Sequence, residues 1–406
     1  MPFQWFVAIR YLRDARGQSA LMLAAVSVGV SVIVFLSALI NGLQTSLIDS
    51  TLGSQPHITL RVPREEPRAL VESRDGVAIA RLRQPAAQRL RSLDQWPSVM
   101  RALAGTPGVT AVSPTISGSA TATRAEARVP VVIRGVNPES FLDIIDLRRD
   151  IVQGTFDVTS GRVVIGSSLA SELGVGVDDR IRVTSTEDVE DVVTIAGLFT
   201  VGTDAVDKSW VVTSLTHAQS LFALPGGVTN IELKVRDVFE ADRIADVIRG
   251  RTGLTVESWM TLNAELLSGL SAQSSSKTMI QFFVVVSVAL GIASILIVSV
   301  VQKSREIGIL RAVGTPARRV LAIFLIQGGV LGVAGSFIGS ALGVLFAKLF
   351  EAMTADASGV PRFFVQVDLP LLIGTTLLAT AVGLTAAVIP ARRAAALDPA
   401  AAIHGD

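Results

Sequence analysis

The sequence contains no cysteine among its 406 residues, so neither disulfide bonds nor thiolate metal sites can form within this chain. Charged residues are also scarce, at 17%, whereas apolar residues make up 50%, a balance unusual for a soluble protein of this length. The formal net charge is only +1, and the basic residues form short clusters instead of one broad patch, which argues against nucleic-acid binding. The composition therefore indicates a membrane protein.

The residue patterns of common nucleotide and catalytic sites are missing as well. No lysine directly follows a glycine, so the chain has no Walker A loop. The three histidines, His57, His217 and His404, lie far apart, which argues against a shared metal site. The pairs Glu65-Glu66 and Asp178-Asp179 fall in predicted turns or loops, where solvation explains carboxylates better than acid-base catalysis does. We therefore expect no catalytic residue, metal or cofactor.

Four long apolar segments can each cross a bilayer, which takes about 20 residues. We assign transmembrane helices to residues 19–42, 278–302, 320–350 and 369–391. The first resembles a secretory signal in its basic start, but its roughly 21 apolar residues exceed the usual length of about 7 to 15 for a signal, so we interpret it as an uncleaved anchor. The uncharged stretches of these segments contain no ionisable group, so proton or sodium coupling within the chain is not expected.

Basic residues cluster at one end of every apolar segment, before the first and third and after the second and fourth. The positive-inside rule then places residues 1–18, 303–319 and 392–406 in the cytoplasm, and residues 43–277 and 351–368 outside. Residues 1–18 fit an amphipathic helix on the membrane surface, with Trp5, Ile9 and Leu12 on one face and Arg10 and Arg13 on another. An ordinary, positively flanked start to the first transmembrane helix explains the same residues.

The external segment is too long and too varied in pattern to be a linker. Near its end, a strand, a helix and a strand are predicted at Asn230–Val235, Glu240–Arg249 and Leu254–Trp259, which together form a β-α-β unit. Further strands are predicted at His57–Val62, Val109–Ile116, Arg128–Val136, Arg162–Ile165, Arg180–Val183, Val192–Thr200 and Trp210–Thr213, with helices at Ser98–Ala104, Ser167–Leu173 and His217–Phe222 and a loop or mobile hairpin at Pro63–Gln95.

The fold class that follows is a membrane α-helical protein with four transmembrane helices and a large α+β extracytoplasmic domain inserted between helices 1 and 2. Within that domain, we predict a membrane-proximal lobe made of residues 43–149 and 228–277 and an inserted outer lobe made of residues 150–227.

The segment Lys303–Arg319 (KSREIGILRAVGTPARR) contains five basic residues and one acidic residue. Ile307, Leu310 and Val313 fall on one face of a short helix, which Gly314-Thr315-Pro316 ends. An amphipathic helix at the cytoplasmic surface is suited to dock into a groove of a partner protein. A basic loop beside the membrane, however, needs no partner at all.

The third apolar segment is rich in glycine. Gly335, Gly339 and Gly343 recur every four residues, which places them on one face of a helix and permits close approach of a second backbone. Glycine is also common in membrane helices in general. We nevertheless predict that these three residues pack against another helix.

Three stretches together resemble the FtsX-like permeases of ABC transporters: KSREIGILRAVG, the glycine-rich helix after it, and the tail PARRAAALDPAAAI at Pro390–Ile403. The chain is most similar to the lipoprotein-releasing and macrolide-exporter branch of these permeases, in the type VII ABC superfamily. The external pattern RVVIGSSLASELGVGVDDRIRV is typical of the MacB-like periplasmic core domain of that branch.

The resemblance implies a multi-pass permease of the bacterial inner membrane that forms a homodimer or heterodimer and binds a cytoplasmic ATP-binding subunit. It also implies that a coupling helix contacts the ATPase, here at Arg305, Glu306, Ile307, Gly308, Leu310, Arg311, Val313 and Gly314. Motion of the external domains would then extract or export a lipoprotein or another hydrophobic substrate, with membrane lipid and a periplasmic adaptor or carrier as further partners.

Two other functions remain open. A permease of the cell-division type would use ATP hydrolysis to activate a cell-wall hydrolase. Such permeases resemble proteins with a smaller external domain than this chain has, so the size of the external domain favours transport. A ligand-sensing receptor without an ATPase is the third reading, and the coupling-helix motif argues against it.

Overall fold

A computed structural model of the chain describes residues 3–53, 55–63, 90–159, 161–354, 365 and 367–396. The chain divides into a helical unit, Met1–Leu47 with Ser268–Asp406, and a sheet domain, Ile48–Leu267. Several predictions lie outside the described residues: the pair Glu65-Glu66, His404, most of the loops predicted at Pro63–Gln95 and 351–368, and the tail beyond Ala396.

The regular elements comprise helices in both units and strands in the sheet domain. The helices are α1 (Phe3–Asp14), α2 (Arg16–Gly53), α3 (Trp96–Ala104), α4 (Pro138–Ile144), α5 (Ser167–Leu173), α6 (Asp204–Asp207), α7 (Leu215–Leu221), α8 (Ala241–Thr252), α9 (Trp259–Leu262), α10 (Ala264–Gln302), α11 (Ser304–Ala312), α12 (Ala317–Met353) and α13 (Leu369–Ala396). The strands are β1 (Ile58–Arg61), β2 (Val109–Arg124), β3 (Ala127–Val136), β4 (Ile151–Gly154), β5 (Arg162–Gly166), β6 (Arg180–Ser185), β7 (Glu190–Phe199), β8 (Trp210–Ser214), β9 (Asn230–Val235) and β10 (Thr255–Ser258).

Four helices of the described chain, α2, α10, α12 and α13, are long and apolar enough to cross a membrane, as the sequence predicted. With 38 and 39 residues, α2 and α10 are longer than the assigned spans. At about 1.5 Å per residue each is roughly 57 Å long, nearly twice the hydrocarbon core of about 30 Å. The polar flanks of both spans contain no proline that would end the helices.

The sheet domain is built on one ten-stranded sheet with the strand order β10-β1-β9-β2-β3-β8-β5-β7-β4, to which β6 is added through pairs with β2 and β7. Because β9 and β10 are both antiparallel to β1, they are parallel to each other, and α8 connects them. This arrangement is the predicted β-α-β unit, with β1 between its two strands. The predicted class, four membrane helices and a large α+β domain, is confirmed.

The two faces of the sheet bury separate apolar clusters. Helices α3, α5, α7 and α8 cover one face, where Leu103, Leu169, Leu221 and Ile244 pack against strand residues such as Ile116. Helix α4 covers part of the other face, through Phe141 and Ile144.

Helix α4 was not predicted, although Asn137 caps it by accepting a hydrogen bond from the Glu139 amide at 3.1 Å and Pro138 occupies its first turn. The short elements β4 and α6 were also missed. The predicted strand at Leu254–Trp259 is too long at its end, because Ser258 caps α9 and Trp259 belongs to that helix.

The division of the external domain into two lobes stays a prediction. Strands from both proposed lobes pair directly, β2 with β6 and β3 with β8, so the sheet runs without a break from one segment to the other.

Candidate coupling site

Helix α11 has a well-defined beginning and end. It follows α10 after Lys303 and closes with a Schellman motif, in which the Thr315 amide donates to the Leu310 carbonyl at 3.1 Å and the Gly314 amide to the Arg311 carbonyl at 3.0 Å. Gly314 has φ +97°, a conformation that glycine adopts without strain. Pro316 then prevents the helix from continuing, and α12 begins at the next residue.

The structure separates the predicted coupling residues into buried and exposed groups. Ile307 is 1% exposed and belongs to the apolar cluster of the helical unit, and Gly308 is buried beside it. The surface of these two residues is covered by the chain itself, and their predicted contact with an ATPase stays a prediction. Leu310 and Arg311 are partly buried, whereas Arg305, Glu306, Val313 and Gly314 are exposed.

An apolar position that the prediction omitted lies on the exposed side of α11. Ile309 is 48% exposed and Val313 is 83% exposed. Exposed large apolar side chains next to Arg305 and Glu306 make a mixed surface of the kind that binds another protein. The helical spacing predicted an apolar face that includes Ile307 and omits Ile309; in the structure Ile307 packs inside the helical unit and Ile309 is exposed.

The beginning of α11 is held by charged groups and by the single tyrosine of the chain. The Lys303 ammonium lies 2.8 Å from the Glu306 carboxylate and 5.3 Å from the ring centre of Tyr11 in α1. Burial, together with the neighbouring Glu306 carboxylate, raises the pKa of the Tyr11 hydroxyl to about 12. Sequence reasoning missed Tyr11, because no local pattern relates α1 to a helix nearly 300 residues away.

Polar side chains join α2 to α10 along much of their length. Gln18 donates to Gln302 at 2.7 Å, next to the start of α11. Farther along, the pairs Gln281 with Ser37, Lys277 with Asn41 and Gln44 with Ser274 follow at 2.7, 3.0 and 2.9 Å. In the last three pairs the residue number rises along α2 by the same steps as it falls along α10, so the two helices are antiparallel. Of these pairs, Gln281 with Ser37 lies within the assigned membrane spans, where water cannot replace the hydrogen bond.

The three predicted packing glycines lie where α12 meets α2. A Cβ atom at Gly335 would come within 2.5 Å of Val26, one at Gly339 within 2.6 Å of the Ser27 carbonyl oxygen, and one at Gly343 within 2.8 Å of Val34. Any side chain at these positions would therefore force the two backbones apart. Gly328 and Gly332 of the same helix instead face α13, so α12 presents glycine to two neighbours.

The contacts around α11 join helices to one another. The described part of the chain contains no cluster of metal-binding side chains. Helix α11 is anchored on one side and open on the other, and it joins directly to α10 and α12. A force applied to its exposed face would therefore reach long, laterally bonded helices. The site is suited to transmit movement between proteins.

Comparison with known proteins supplies the family context. Residues 19–251 match the family described as MacB-like periplasmic core domain, and residues 278–399 match the FtsX-like permease C-terminal family. Lipoprotein-releasing system transmembrane protein LolC from Xylella fastidiosa is 24% identical over 99% of both chains. Macrolide export ATP-binding/permease protein MacB from Agrobacterium fabrum is 25% identical, over 96% of this chain and 58% of that protein.

Among solved structures, the periplasmic region of MacB from Actinobacillus actinomycetemcomitans matches 54% of this chain and 95% of its own length, with 11% identity and a TM-score of 0.34. Both family matches include predicted membrane helices, and together they extend over most of the chain.

Proposed function

The chain belongs to the MacB-like periplasmic core domain family and ends in an FtsX-like permease region, and on that premise we propose that this ABC transporter permease is driven by ATP hydrolysis in a separate cytoplasmic subunit. The observation that carries the proposal is α11, which is anchored through Ile307 and exposes Ile309 and Val313. Its exposed face is the docking surface for the ATP-binding subunit. The topology assigned from the basic clusters, with residues 1–18, 303–319 and 392–406 in the cytoplasm, is part of this proposal.

The composition of the membrane segments supports an energy source that lies outside this chain. Their uncharged stretches contain no side chain that could bind or release a proton or bind a sodium ion through charge. The chain also lacks a Walker A loop, so the nucleotide must bind elsewhere. Energy therefore enters through contact with a partner, and α11 is the contact that the geometry offers.

Two long helices carry the movement from α11 to the external side. Helix α10 ends one residue before α11, and its polar pairs with α2 make the two helices move together. Ile48 and Leu52 at the end of α2 and Leu267 at the start of α10 pack on the apolar core of the sheet domain. We propose that movement passes along these two helices to their ends in the sheet domain, on the periplasmic side.

The substrate is proposed to be a lipoprotein or another hydrophobic molecule. The similar proteins are named for lipoprotein release and for macrolide export, two activities on apolar or lipid-bearing molecules. The surface where α2, α10 and α13 meet supports this class by its composition, because Thr375 is the one polar side chain among the residues that line it. The remaining lining residues are Val26, Gly29, Val30, Ile33, Val285, Val288, Leu378, Ala379 and Val382.

Further partners belong to the same proposal. Helix α10 exposes Phe282, Phe283 and Leu290 by more than 60% each, a surface suited to lipid or to a second permease subunit. The partner subunit can be an identical copy or a paralogue, and a periplasmic adaptor or carrier would receive the substrate.

The test is purification of the tagged, full-length chain from its native membranes in mild detergent. We expect a P-loop ATP-binding subunit to co-purify and the complex to hydrolyse ATP faster when a lipoprotein is added. Release of that lipoprotein from reconstituted vesicles in the presence of ATP would identify transport. A pure preparation without any ATP-binding subunit would contradict the proposal, and stimulated hydrolysis without release would favour the signalling alternative.

A further inference from the structure

A group of three side chains connects α1 with the beginning of α11. Lys303, 20% exposed, lies between the Glu306 carboxylate, 2.8 Å away, and the face of the Tyr11 ring, whose centre is 5.3 Å away. The Tyr11 hydroxyl lies beside the Glu306 carboxylate, within reach of a hydrogen bond. Tyr11 itself is only 7% exposed, so its position is set by packing.

The packing that fixes Tyr11 comes from the helical unit. Val7, Ala8 and Tyr11 form one face of α1 and pack against Ile323 and Ile326 of α12. The apolar face predicted for α1 is a different one, on which Trp5 is 44% exposed. Helix α1 therefore uses one face to hold α12 and exposes Trp5 on another, whereas Leu12 of the predicted face packs against the apolar cluster of the helical unit.

The junction between α1 and α2 is also tied. The Ser19 hydroxyl donates to the Leu12 carbonyl at 2.8 Å, and the Ala15 amide donates to the Tyr11 carbonyl at 3.1 Å. Tyr11 thus stands on a helix that is fixed to both α2 and α12, and from there it reaches α11.

We infer that Tyr11 is a positioning residue of the coupling site, whose ring and hydroxyl hold Lys303 and Glu306 so that α11 presents its exposed face at a fixed orientation. This inference rests on the proposed function, since it assigns α1 a part in coupling beyond anchoring the chain. Exposed ion pairs contribute little to stability, and Glu306 is 52% exposed, so the contact orients α11 more than it stabilises the fold.

The matched pair of variants is Tyr11→Phe, which removes only the hydroxyl, and Trp5→Phe, an aromatic change on the exposed face of the same helix. In the complex with its ATP-binding subunit, we expect Tyr11→Phe to reduce the substrate stimulation of ATP hydrolysis about fivefold, the factor typical of one lost hydrogen bond. Trp5→Phe should leave the stimulation unchanged. Equal stimulation in the wild type and Tyr11→Phe would overturn the inference.

A double-variant cycle separates positioning from a general structural effect. If Tyr11 acts through Glu306, then Glu306→Ala should lower the stimulation as well, and Tyr11→Phe combined with Glu306→Ala should lower it no further than Glu306→Ala alone. Losses that simply multiply would show that Tyr11 acts independently, and the inference would be wrong.

A spectroscopic measurement on the isolated chain tests the contact without any ATPase. Because the chain contains one tyrosine, phenolate absorbance in detergent reports Tyr11 alone. We expect a titration midpoint at about 12 in the wild type, because the pKa of Tyr11 is raised to that value. The midpoint should be lower in Glu306→Gln. Arg10 and Asp14, whose charges also act on Tyr11, are the same in both proteins. Identical midpoints would refute the contact. Failure of the proposed function would appear differently, as a wild-type chain that assembles with no ATP-binding subunit while its Tyr11 titration is unaffected.

Discussion

Replacing Glu232 by glutamine tests the energetic role of a buried ion pair in the sheet domain. Arg134 on β3 and Glu232 on β9 form a hydrogen-bonded ion pair across β2, with side chains 8% and 3% exposed. The Arg134 guanidinium is also covered by two aromatic rings, with Trp210 at 4.3 Å and Phe141 at 5.7 Å from ring centre to guanidinium carbon. Glu232→Gln keeps the shape of the side chain but leaves the guanidinium charge buried without a counter-charge.

The expected loss follows from burial. Removing one partner of a buried pair typically lowers the free energy of unfolding by about 3 to 5 kcal/mol, because the remaining charge stays desolvated. The pair is also imperfect, since Arg134 Nε and Glu232 Oε2 have no hydrogen-bond partner among the described residues. Replacing both residues, with Arg134→Met and Glu232→Leu, should therefore recover most of the loss or exceed wild-type stability.

Urea unfolding of the full chain in mild detergent measures this difference. Tryptophan fluorescence reports mainly on the sheet domain, which contains Trp96, Trp210 and Trp259. The matched control is Glu257→Gln, which breaks the ion pair of Glu257 with Arg61 in the same sheet. Those side chains are 25% and 39% exposed, so we expect a loss below about 1 kcal/mol. Equal losses for Glu232→Gln and Glu257→Gln would refute the argument from burial, as would a double variant no more stable than Glu232→Gln.

Two further predictions concern the helix packing and the sheet domain. Gly339→Ala should lower the stability of the helical unit by about 1 to 3 kcal/mol, because its methyl group meets the Ser27 carbonyl, whereas Gly291→Ala, with open space around it, should be neutral or slightly stabilising in the same thermal unfolding assay in detergent. Burial lowers the pKa of His57 below its ordinary 6.5, so its contribution to stability is complete above pH 6.5 and is lost as the pH falls through the lowered pKa. The urea midpoint of the sheet domain should therefore fall on acidification, and less so in His57→Asn; an equal fall in both proteins would show that other groups cause it.

Local patterns were sufficient for much of the sheet domain. The helix predicted at Ser167–Leu173 has those bounds, because Gly174 takes the left-handed conformation that ends it, with φ +64°. Strand β9 also matches its prediction at Asn230–Val235, where apolar and polar residues alternate. By contrast, β2 runs to Arg124, eight residues beyond its predicted end. That second half, SGSATATR, contains small and polar residues, and it is a strand because β3 and β6 pair with it.

The coupling site shows the limit of periodicity. The spacing of Ile307, Leu310 and Val313 identified an amphipathic helix, yet it could not show which apolar side chain the rest of the chain covers. Ile307 is buried because α11 lies against the helical unit, and that contact depends on residues far away in sequence. For the same reason, the sequence did not reveal the contact of Tyr11 with α11 or the ion pair of Arg134 with Glu232. A sequence pattern does not show which distant elements pack together.

The glycines of α12 could be placed on one face of the helix from the sequence, because their spacing alone defines that face. Sequence could not show that Gly335, Gly339 and Gly343 meet α2, while Gly328 and Gly332 meet α13. The partner of each stripe depends on how four helices are arranged, which the order of the segments leaves open.

Site-specific crosslinking from α11 is the most direct test of the central claim, that this helix receives movement from an ATP-binding subunit. Because the natural chain has no cysteine, Val313→Cys introduces a unique thiol at a side chain that is 83% exposed. Val152→Cys, at a position 58% exposed in the sheet domain, is the matched control. We expect Val313→Cys to crosslink to a P-loop subunit in native membranes and Val152→Cys not to do so. The absence of this crosslink in a membrane where the subunit co-purifies with the chain would contradict the claim.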